Sequence, residues 1–207
     1  DTVTYTLAGQ INPETGWGRA GETWQVMAAL EELGGQSWFR LGDHDLATHL
    51  YRTQRLAEGA PLSTVTTELA ERFGVAVRVV PATDDRLRTL VHLRDPPVGT
   101  DPTVDFQSWF VGMRHEPPVA AVTFDGALTA RPPPGVLDAV ATPRALLLAP
   151  PNPVVSIEPV LAVPGIRDAV ADRRERVVAV PPLVAGGALR GPADRLLADL
   201  GAEPSVV

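Results

Sequence analysis

The sequence contains no cysteine and no lysine. Without cysteine, the chain cannot form disulfides, thiolate zinc sites or a cysteine nucleophile. All 18 basic residues are arginine, against 25 acidic residues, and the net charge of -7 argues against a nucleic-acid partner, because phosphate binding needs clustered positive charge. No apolar run approaches the roughly 20 residues that a membrane-spanning helix needs, and no signal peptide is visible. We expect a cytoplasmic protein with neither a membrane nor a nucleic-acid partner.

The length and composition are those of a globular protein with one large domain or two small ones. The 207 residues are 44% hydrophobic and 21% charged, which is ordinary for a chain that buries a core. The chain opens on Asp1 without an initiator methionine and closes on EPSVV, in which Val206 and Val207 resemble the first residues of a strand. We therefore expect a fragment of a longer protein.

The first 116 residues have a helix-rich pattern. Apolar residues at helical spacing predict helices over 21–35, 43–59 and 61–74. Alternating residues predict a hairpin of strands over 75–82 and 87–93, and an aromatic-rich stretch predicts a short helix over 104–116.

From about residue 117 strands alternate with helices. Strands are predicted over 118–126, 144–150 and 176–182. Helices are predicted over 136–142, the second half of 159–175 and 191–201. The apolar runs within 144–150 and 176–182 are typical of strands buried on both faces of a parallel sheet. This pattern predicts an α/β fold with a Rossmann-like doubly wound sheet, to which the helix-rich part is attached as a cap or insertion.

Two loops follow the predicted parallel strands, at 149–159 and 181–195. Ligands of doubly wound sheets bind at the carboxyl ends of the strands. The second loop carries Gly186, Gly187 and Arg190 before a helix whose N-terminus favours anions. A phosphate-binding loop and an ordinary glycine-rich turn are both compatible with this pattern.

The segment LGDHDLATHL, residues 41–50, concentrates acids and histidines. Asp45 and His49 lie one helical turn apart on one face, and with Asp43 they offer ligands that suit zinc or manganese. Further ligands at related spacing are lacking, and Asp43 is well placed as a helix N-cap. Spacing alone therefore favours a helix start over a metal site.

The segment 9–24 contains Trp17, Arg19 and Trp24 among glycines. An exposed tryptophan in such a loop can stack on a planar heterocycle, or it can pack under the loop as a small satellite core. The residues leave both possibilities open.

Several collinear motifs resemble one family. They are TYTLAG, INPETGWGR, WFRLGDHDLATHLYRTQRLAEGAPLSTVT, FQSWFV, APPNPVVSIEPVLAVPGIR and GPADRLLADLG. Together they resemble the 2-phospho-L-lactate transferase family, of the CofD/FbiA type, which takes part in the biosynthesis of the deazaflavin coenzyme factor 420. The resemblance covers essentially all 207 residues.

The resemblance implies a Rossmann-like core with a helical insertion, and a Mg²⁺-dependent transferase that forms a homodimer. Such an enzyme moves a phospholactate or phosphoenolpyruvate unit from a guanosine-diphosphate-linked donor to 7,8-didemethyl-8-hydroxy-5-deazariboflavin and releases GMP. We expect residues 1–35 to belong to the core and the acceptor-site loop. Residues 36–116 would then form the helix-rich insertion with a small hairpin, and residues 117–207 the core with the nucleotide-side loops.

The resemblance also implies roles for individual residues. Asp1 matches an acid near the family's magnesium site, whose carboxylate partner is not in this sequence. The residues implied for acceptor binding are Thr2, Trp17, Arg19, Asp43, Asp45 and His49. Those implied for donor nucleotide binding are Asn152, Pro153, Ser156, Gly186, Gly187 and Arg190.

The sequence departs from the family pattern at five positions. Pro151 and Pro181 stand where serine is usual, Gly187 and Arg190 where lysine is usual, and His44 where arginine is common. The lost hydroxyls and cation remove hydrogen bonds from the presumed nucleotide loops, which bears on donor affinity and leaves the expected reaction class unchanged. Two alternatives stay open: a non-catalytic nucleotide-sugar-binding regulator of the same fold, and a degenerate paralogue.

Overall fold

A computed structural model describes residues 1–185, 187–188 and 191–203. The chain divides into two compact units, the first comprising residues 1–81 and the second beginning at Ala82. Of the helices in the described part of the chain, none combines the length and the apolar character that crossing a membrane requires. The domain boundaries expected from the resemblance, 1–35, 36–116 and 117–207, stay a prediction.

The first unit is helical. Its helices are α1 (Thr2–Leu7), α2 (Gln25–Glu32), α3 (Asp43–Ala57) and α4 (Leu62–Arg72). The predicted helices over 21–35, 43–59 and 61–74 are confirmed, with α2 shorter than expected at both ends. The buried face of α4 contains Val65 and Leu69, which have the helical spacing that predicted it.

The side chain of Asp43 caps the start of α2 rather than that of α3, the helix to which it belongs. The prediction that Asp43 is the N-cap of α3 is wrong, because Gly42 occupies that position and Asp43 is the first helical residue. The Asp43 carboxylate accepts hydrogen bonds from the Thr23 hydroxyl and from the backbone N–H groups of Gln25 and Val26, the latter two at 3.2 Å. It therefore satisfies the free N–H groups at the start of α2.

Glu22 provides the reciprocal cap. Its carboxylate accepts hydrogen bonds from the backbone N–H groups of His44 at 2.7 Å and Asp45 at 2.9 Å, in the first turn of α3. A Cβ atom at Gly42 would overlap the Glu22 carboxyl group, so a larger residue there would displace this carboxylate. The N-terminus of α2 is therefore capped by Asp43 from the start of α3, and the N-terminus of α3 is capped by Glu22, which precedes α2.

The strand predicted over 87–93 is confirmed, but the strand predicted over 75–82 and the hairpin between the two are wrong. The segment 75–82 is irregular, whereas β1 (Arg88–Leu93) pairs antiparallel with β2 (Thr103–Asp105) and β3 (Val119–Asp125). Because the seven-residue β3 offers a longer alternating partner, the long-range pairing is preferred over the local one. The helix predicted over 104–116 is correct only in its middle, where a π-helix spans Ser108–Gly112.

The second unit combines this sheet with further short elements. They are α5 (Val136–Ala141), β4 (Leu146–Leu148), a π-helix (Pro153–Ile157), α6 (Glu158–Leu161), α7 (Ile166–Ala171), β5 (Val177–Ala179), β6 (Leu183–Val184), β7 (Gly187–Ala188) and α8 (Ala193–Asp199). Short 3₁₀ turns lie at Ala127–Thr129 and Arg174–Arg176. The predicted strands over 144–150 and 176–182 are confirmed, and they pair in parallel as expected.

One core of the second unit packs Trp109 between the β1–β3 sheet and α8. Val91, Leu93, Val119 and Leu196 are the other buried members of this cluster. The α/β class is confirmed. Among the described residues, parallel pairing is limited to β4 and β5.

A polar network joins α3 to α4. Glu68 accepts hydrogen bonds from Arg55, at 2.8 and 3.0 Å, and from the Tyr51 hydroxyl at 2.6 Å. The bonds from Arg55, and next the bond from Tyr51, lower the pKa of Glu68 from 4.5 to about 2. A carboxyl whose pKa is lower in the folded state stabilises that state above its unfolded pKa, and this contribution is lost as pH falls through the folded pKa.

We therefore predict that Glu68→Gln lowers the free energy of unfolding of the full-length protein at pH 7, and that the difference from wild type shrinks between pH 4.5 and pH 2. Urea denaturation at several pH values measures this difference. The exposed Glu14 supplies the control substitution Glu14→Gln, for which we expect little change at any of these pH values. A difference for Glu68→Gln that stays constant down to pH 2 would contradict the assignment.

Candidate functional site

The first unit brings Asp1, Asp45 and His49 together. One ligand atom from each of these side chains lies within 4.8 Å of the other two. His49 Nε2 is 3.6 Å from Asp1 Oδ2 and 3.6 Å from Asp45 Oδ1. The start of α1 supplies Asp1, and one turn of α3 presents Asp45 and His49 on the same face. Asp43, on the opposite side of the helix start, caps α2 instead.

Asp45 is a buried carboxylate. Its side chain is 9% exposed, and its Oδ1 accepts a hydrogen bond of 2.8 Å from the hydroxyl of Tyr5. Tyr5 is itself 1% exposed, and its ring packs edge-on against Phe73 at 5.6 Å. Burial, together with the neighbouring Asp45 charge, raises the pKa of Tyr5, so its hydroxyl stays a donor at neutral pH.

Arg52 supplies positive charge at the edge of the cluster. Its guanidinium group donates to the Asp1 carboxylate, and its Nη1 lies 3.3 Å from His49 Nδ1. Burial lowers the pKa of His49, the Asp45 charge opposes this shift, and Arg52 adds to it. Burial also lowers the pKa of Arg52.

The donor set of the cluster fits a divalent cation. Two carboxylates are ligands that Mg²⁺ accepts alongside water and phosphate oxygens. The imidazole of His49 adds a nitrogen ligand, which Mn²⁺ and Zn²⁺ bind more readily than Mg²⁺ does. The described residues therefore offer a three-ligand set in which the predicted metal ligand Asp1 takes part.

A cavity of about 350 Å³ lies beside the cluster. Asp1, Thr4 and Arg52 form polar parts of its wall, and Leu69 and Phe73 belong to its apolar part. The volume is within the range of small-molecule sites, which combine a mostly apolar lining with a few polar groups.

The residues predicted for the acceptor lie in different surroundings. Trp17 is 50% exposed, so part of its indole is accessible to a ligand. Arg19 donates to Gln10 Oε1 at 2.8 Å, and its guanidinium carbon lies 5.0 Å from the Phe73 ring centroid and 5.8 Å from that of Tyr5. Arg19 therefore supports the packing around Tyr5. Thr2 is exposed in the first turn of α1.

The residues predicted for the donor nucleotide lie in the second unit. Asn152 Oδ1 accepts from the backbone N–H groups of Val154 and Val155, at 2.9 and 3.3 Å, and so caps the π-helix that Pro153 begins. Ser156 is exposed in that π-helix.

Gly187 begins β7, and α8 contacts both β7 and the π-helix that Asn152 caps. These donor residues therefore lie around one helix. Gly186 and Arg190 lie outside the described residues, as do Val206 and Val207, for which a strand start was predicted.

Three residues that were not predicted as site residues take part in the cluster or its support. They are Tyr5, Arg52 and Glu22. The position of Arg52 was detectable, because it follows Asp45 by seven residues and His49 by three and so shares their helical face. The contact of Tyr5 with Asp45 joins residues 40 positions apart, which periodicity cannot show.

The chain is similar to known proteins over nearly its whole length. The family model described as 2-phospho-L-lactate transferase CofD matches residues 1–207. A Streptomyces coelicolor protein named phosphoenolpyruvate transferase is 48% identical over 204 residues, which are 98% of this chain and 63% of that protein. A Mycolicibacterium smegmatis protein of the same name is 45% identical over 204 residues, 98% of this chain and 62% of that protein. The chain spans less than two thirds of the length of these relatives.

Two crystal structures of one Bacillus halodurans protein are similar in fold. One, a member of the UPF0052 family, has a TM-score of 0.50 at 18% identity and covers 81% of this chain and 47% of that chain. The other has a TM-score of 0.54 at 18% identity and covers 86% of this chain and 51% of that chain. At this identity the likeness concerns the fold alone.

The burial of Asp45 generates a stability prediction. Tyr5→Phe leaves the buried carboxylate without its hydroxyl donor, so we expect a loss of about 1–3 kcal/mol of unfolding free energy. In an Asp45→Asn background the same substitution should cost less, because an unpaired amide is easier to bury than an unpaired carboxylate. Urea denaturation of the four proteins of this double-mutant cycle measures the coupling.

The matched control is Tyr51→Phe. It removes a hydroxyl that also donates to a carboxylate, that of Glu68, which is 23% exposed and so remains accessible to water. We expect a smaller loss of stability than for Tyr5→Phe. Equal losses for the two substitutions would show that the burial of Asp45 does not matter.

Proposed function

Because the chain belongs to the 2-phospho-L-lactate transferase family, we propose that the full-length protein is a transferase of phosphorylated three-carbon acids. The unit transferred is phosphoenolpyruvate rather than phospholactate, and the observation that carries this choice is the name shared by relatives 45–48% identical to the chain. The donor is a guanosine-diphosphate-linked acid, and the acceptor is 7,8-didemethyl-8-hydroxy-5-deazariboflavin. The reaction would belong to the biosynthesis of factor 420.

The proposed reaction is a substitution at phosphorus. A ribityl hydroxyl oxygen of the acceptor attacks the phosphorus that carries the three-carbon acid, the bond to the second phosphate breaks, and GMP leaves while the hydroxyl loses its proton. Such reactions depend on positioning and on neutralising phosphate charge. Mg²⁺, bound with Asp1 among its ligands, would supply that neutralisation.

The first unit supplies the residues that we propose for the acceptor. The exposed indole of Trp17 offers a flat apolar surface for the deazaflavin ring. Thr2, Asp45 and His49 offer polar groups near the metal-ligand candidate Asp1. Arg19 and Asp43 would act indirectly, since their side chains hold the packing around Tyr5 and the start of α2.

The second unit supplies the residues that we propose for the donor nucleotide: Asn152, Pro153, Ser156, Gly186, Gly187 and Arg190. The cap that Asn152 forms uses its amide oxygen, so the amide NH₂ group keeps its capacity to donate to a ligand. Since Pro151, Pro181 and Gly187 lack the hydroxyls and the cation usual in the family, donor binding would rest more on backbone N–H groups.

The proposal includes the larger fold. We propose that β4 and β5 belong to a Rossmann-like doubly wound sheet of the full-length protein, with a helix-rich insertion. Their parallel pairing supports this, and so does the exposure of Leu147 (68%) and Val178 (57%), which are apolar side chains of the kind that helices cover in such sheets. A cytoplasmic location and a homodimer, with no nucleic-acid or membrane partner, complete the proposal.

The second candidate, a non-catalytic nucleotide-sugar-binding regulator, is less well supported, because the relatives that cover nearly the whole chain are named transferases. The two are separated by incubating full-length protein with the deazaflavin, Mg²⁺ and either the enolpyruvyl or the lactyl donor. We expect GMP release and a phosphorylated deazaflavin with the enolpyruvyl donor. Absence of GMP release with both donors, together with binding of a nucleotide sugar, would favour the regulator.

A substitution tests the acceptor role of Trp17. We expect Trp17→Ala to weaken binding of the deazaflavin about three- to tenfold, the range that aromatic stacking contributes. Titration of the deazaflavin fluorescence measures the dissociation constant. Leu33→Ala, at a side chain 85% exposed and outside all proposed contacts, is the control. Unchanged affinity in Trp17→Ala would place the ring elsewhere.

A further inference from the structure

We propose that Asp45 and His49 bind the divalent cation together with Asp1, and that Arg52 competes with this cation for the Asp1 carboxylate. The proposal rests on the proposed function in one respect only, namely that a cation acts in the reaction. It adds two metal ligands on α3 and identifies the Arg52 guanidinium as a competitor of the metal ion. Its test measures metal binding and does not require catalysis.

The burial of Asp45 is the first argument. Within the part of the chain that the structure describes, its carboxylate accepts a hydrogen bond from the neutral hydroxyl of Tyr5 at 2.8 Å and lies 3.6 Å from His49 Nε2. The charge of Arg52 also interacts with it, without a direct contact. The side chain of Asp45 is 9% exposed, and buried carboxylates are as a rule paired with a cation or bound to metal. A cation among Asp1, Asp45 and His49 would provide this compensation.

The second argument concerns the orientation of the ligands. Tyr5 donates to the same oxygen of Asp45 that faces His49, so the hydroxyl fixes the carboxylate in the rotamer that the cluster requires. Hydrogen bonds of this kind orient metal ligands and influence affinity strongly. Asp45 and His49 also stand on a helix whose start is fixed by Glu22, which makes their spacing rigid.

Arg52 provides the third argument. Its guanidinium group donates to Asp1 and lies 3.3 Å from His49 Nδ1, so it places a positive charge next to two of the three ligands. A divalent cation on the same ligands would repel it. Once released from Asp1, the guanidinium would still line the 350 Å³ cavity, where its planar group suits a phosphate oxygen pair. Cation binding would thus free Arg52 for an anionic ligand.

The imidazole nitrogen of His49 determines which divalent cations the cluster binds more tightly. An all-oxygen site would suit Mg²⁺, whereas an imidazole raises the affinity for Mn²⁺ and Co²⁺ relative to Mg²⁺. We therefore expect metal-free full-length protein to bind Mn²⁺ more tightly than Mg²⁺. Electron spin-echo spectroscopy of bound Mn²⁺ should show coupling to an imidazole nitrogen.

Three substitutions test the ligand assignment. Asp45→Asn and His49→Gln should each weaken Mn²⁺ binding about tenfold or more, as loss of a ligand exceeds the effect of losing its supporting hydrogen bond. His49→Gln should also abolish the nitrogen coupling, which a merely structural role would not do. Arg52→Gln should act in the opposite direction and tighten Mn²⁺ binding, because it removes the competing charge.

The control is His44→Gln, at the exposed neighbour of Asp45 on α3, which should leave Mn²⁺ affinity and the nitrogen coupling unchanged. If Asp45→Asn fails to fold, His49→Gln decides alone, since the His49 side chain is 37% exposed and its replacement buries no new group. Nitrogen coupling that persists in His49→Gln, or Arg52→Gln that weakens Mn²⁺ binding, would overturn the proposal.

The test of metal binding and the test of the transferase activity can fail separately. Wild-type protein that binds Mn²⁺ through Asp45 and His49 but releases no GMP would retain this inference and contradict the transferase. Protein that releases GMP normally while Asp45→Asn and His49→Gln bind Mn²⁺ like wild type would retain the transferase and contradict this inference.

Discussion

The hydroxyl of Tyr5 donates a hydrogen bond to the buried carboxylate of Asp45, and much of the first unit is arranged around this contact. Burying a carboxyl group costs free energy unless neighbouring groups compensate it. Tyr5 therefore has to lie inside the unit, and Phe73 and Arg19 pack on its ring. The same contact ties α1 to α3 and so brings Asp1 to His49. The Tyr5–Asp45 hydrogen bond therefore determines both the packing of the first unit and the geometry of its candidate metal ligands.

The position of Asp45 depends in turn on how α3 begins. Glu22 accepts from the N–H groups of the first turn, and Asp43 does the same for α2, so neither helix start can shift without the other. Gly42 allows the close approach of Glu22. The two acidic residues of the segment 41–50 therefore have different roles. Asp43 caps α2, and Asp45 faces the cluster. Residues two positions apart on a helix point in different directions, and here the difference separates a structural role from a chemical one.

Much of this arrangement was predictable from the sequence, and there are physical reasons why the rest was not. Helical spacing identified α3 and α4, the apolar runs identified β4 and β5, and the four-residue spacing of Asp45 and His49 identified their common face. What spacing could not show is contact between distant segments: Tyr5 with Asp45, Arg52 with Asp1, and β1 with β3 instead of 75–82. The predicted N-cap at Asp43 was wrong for the same reason, because the N–H groups that donate to its carboxylate belong to another helix.

The cluster draws its ligands from two helices, with consequences for any molecule that binds there. Asp1 precedes α1, whereas Asp45 and His49 stand on α3, and the hydrogen bond from Tyr5 to Asp45 joins the same two helices. Separation of α1 from α3 would therefore dismantle the cluster even with α3 intact. By linkage, a ligand that binds through both Asp1 and the α3 residues stabilises the docked arrangement of the two helices, by an amount set by its concentration relative to its dissociation constant.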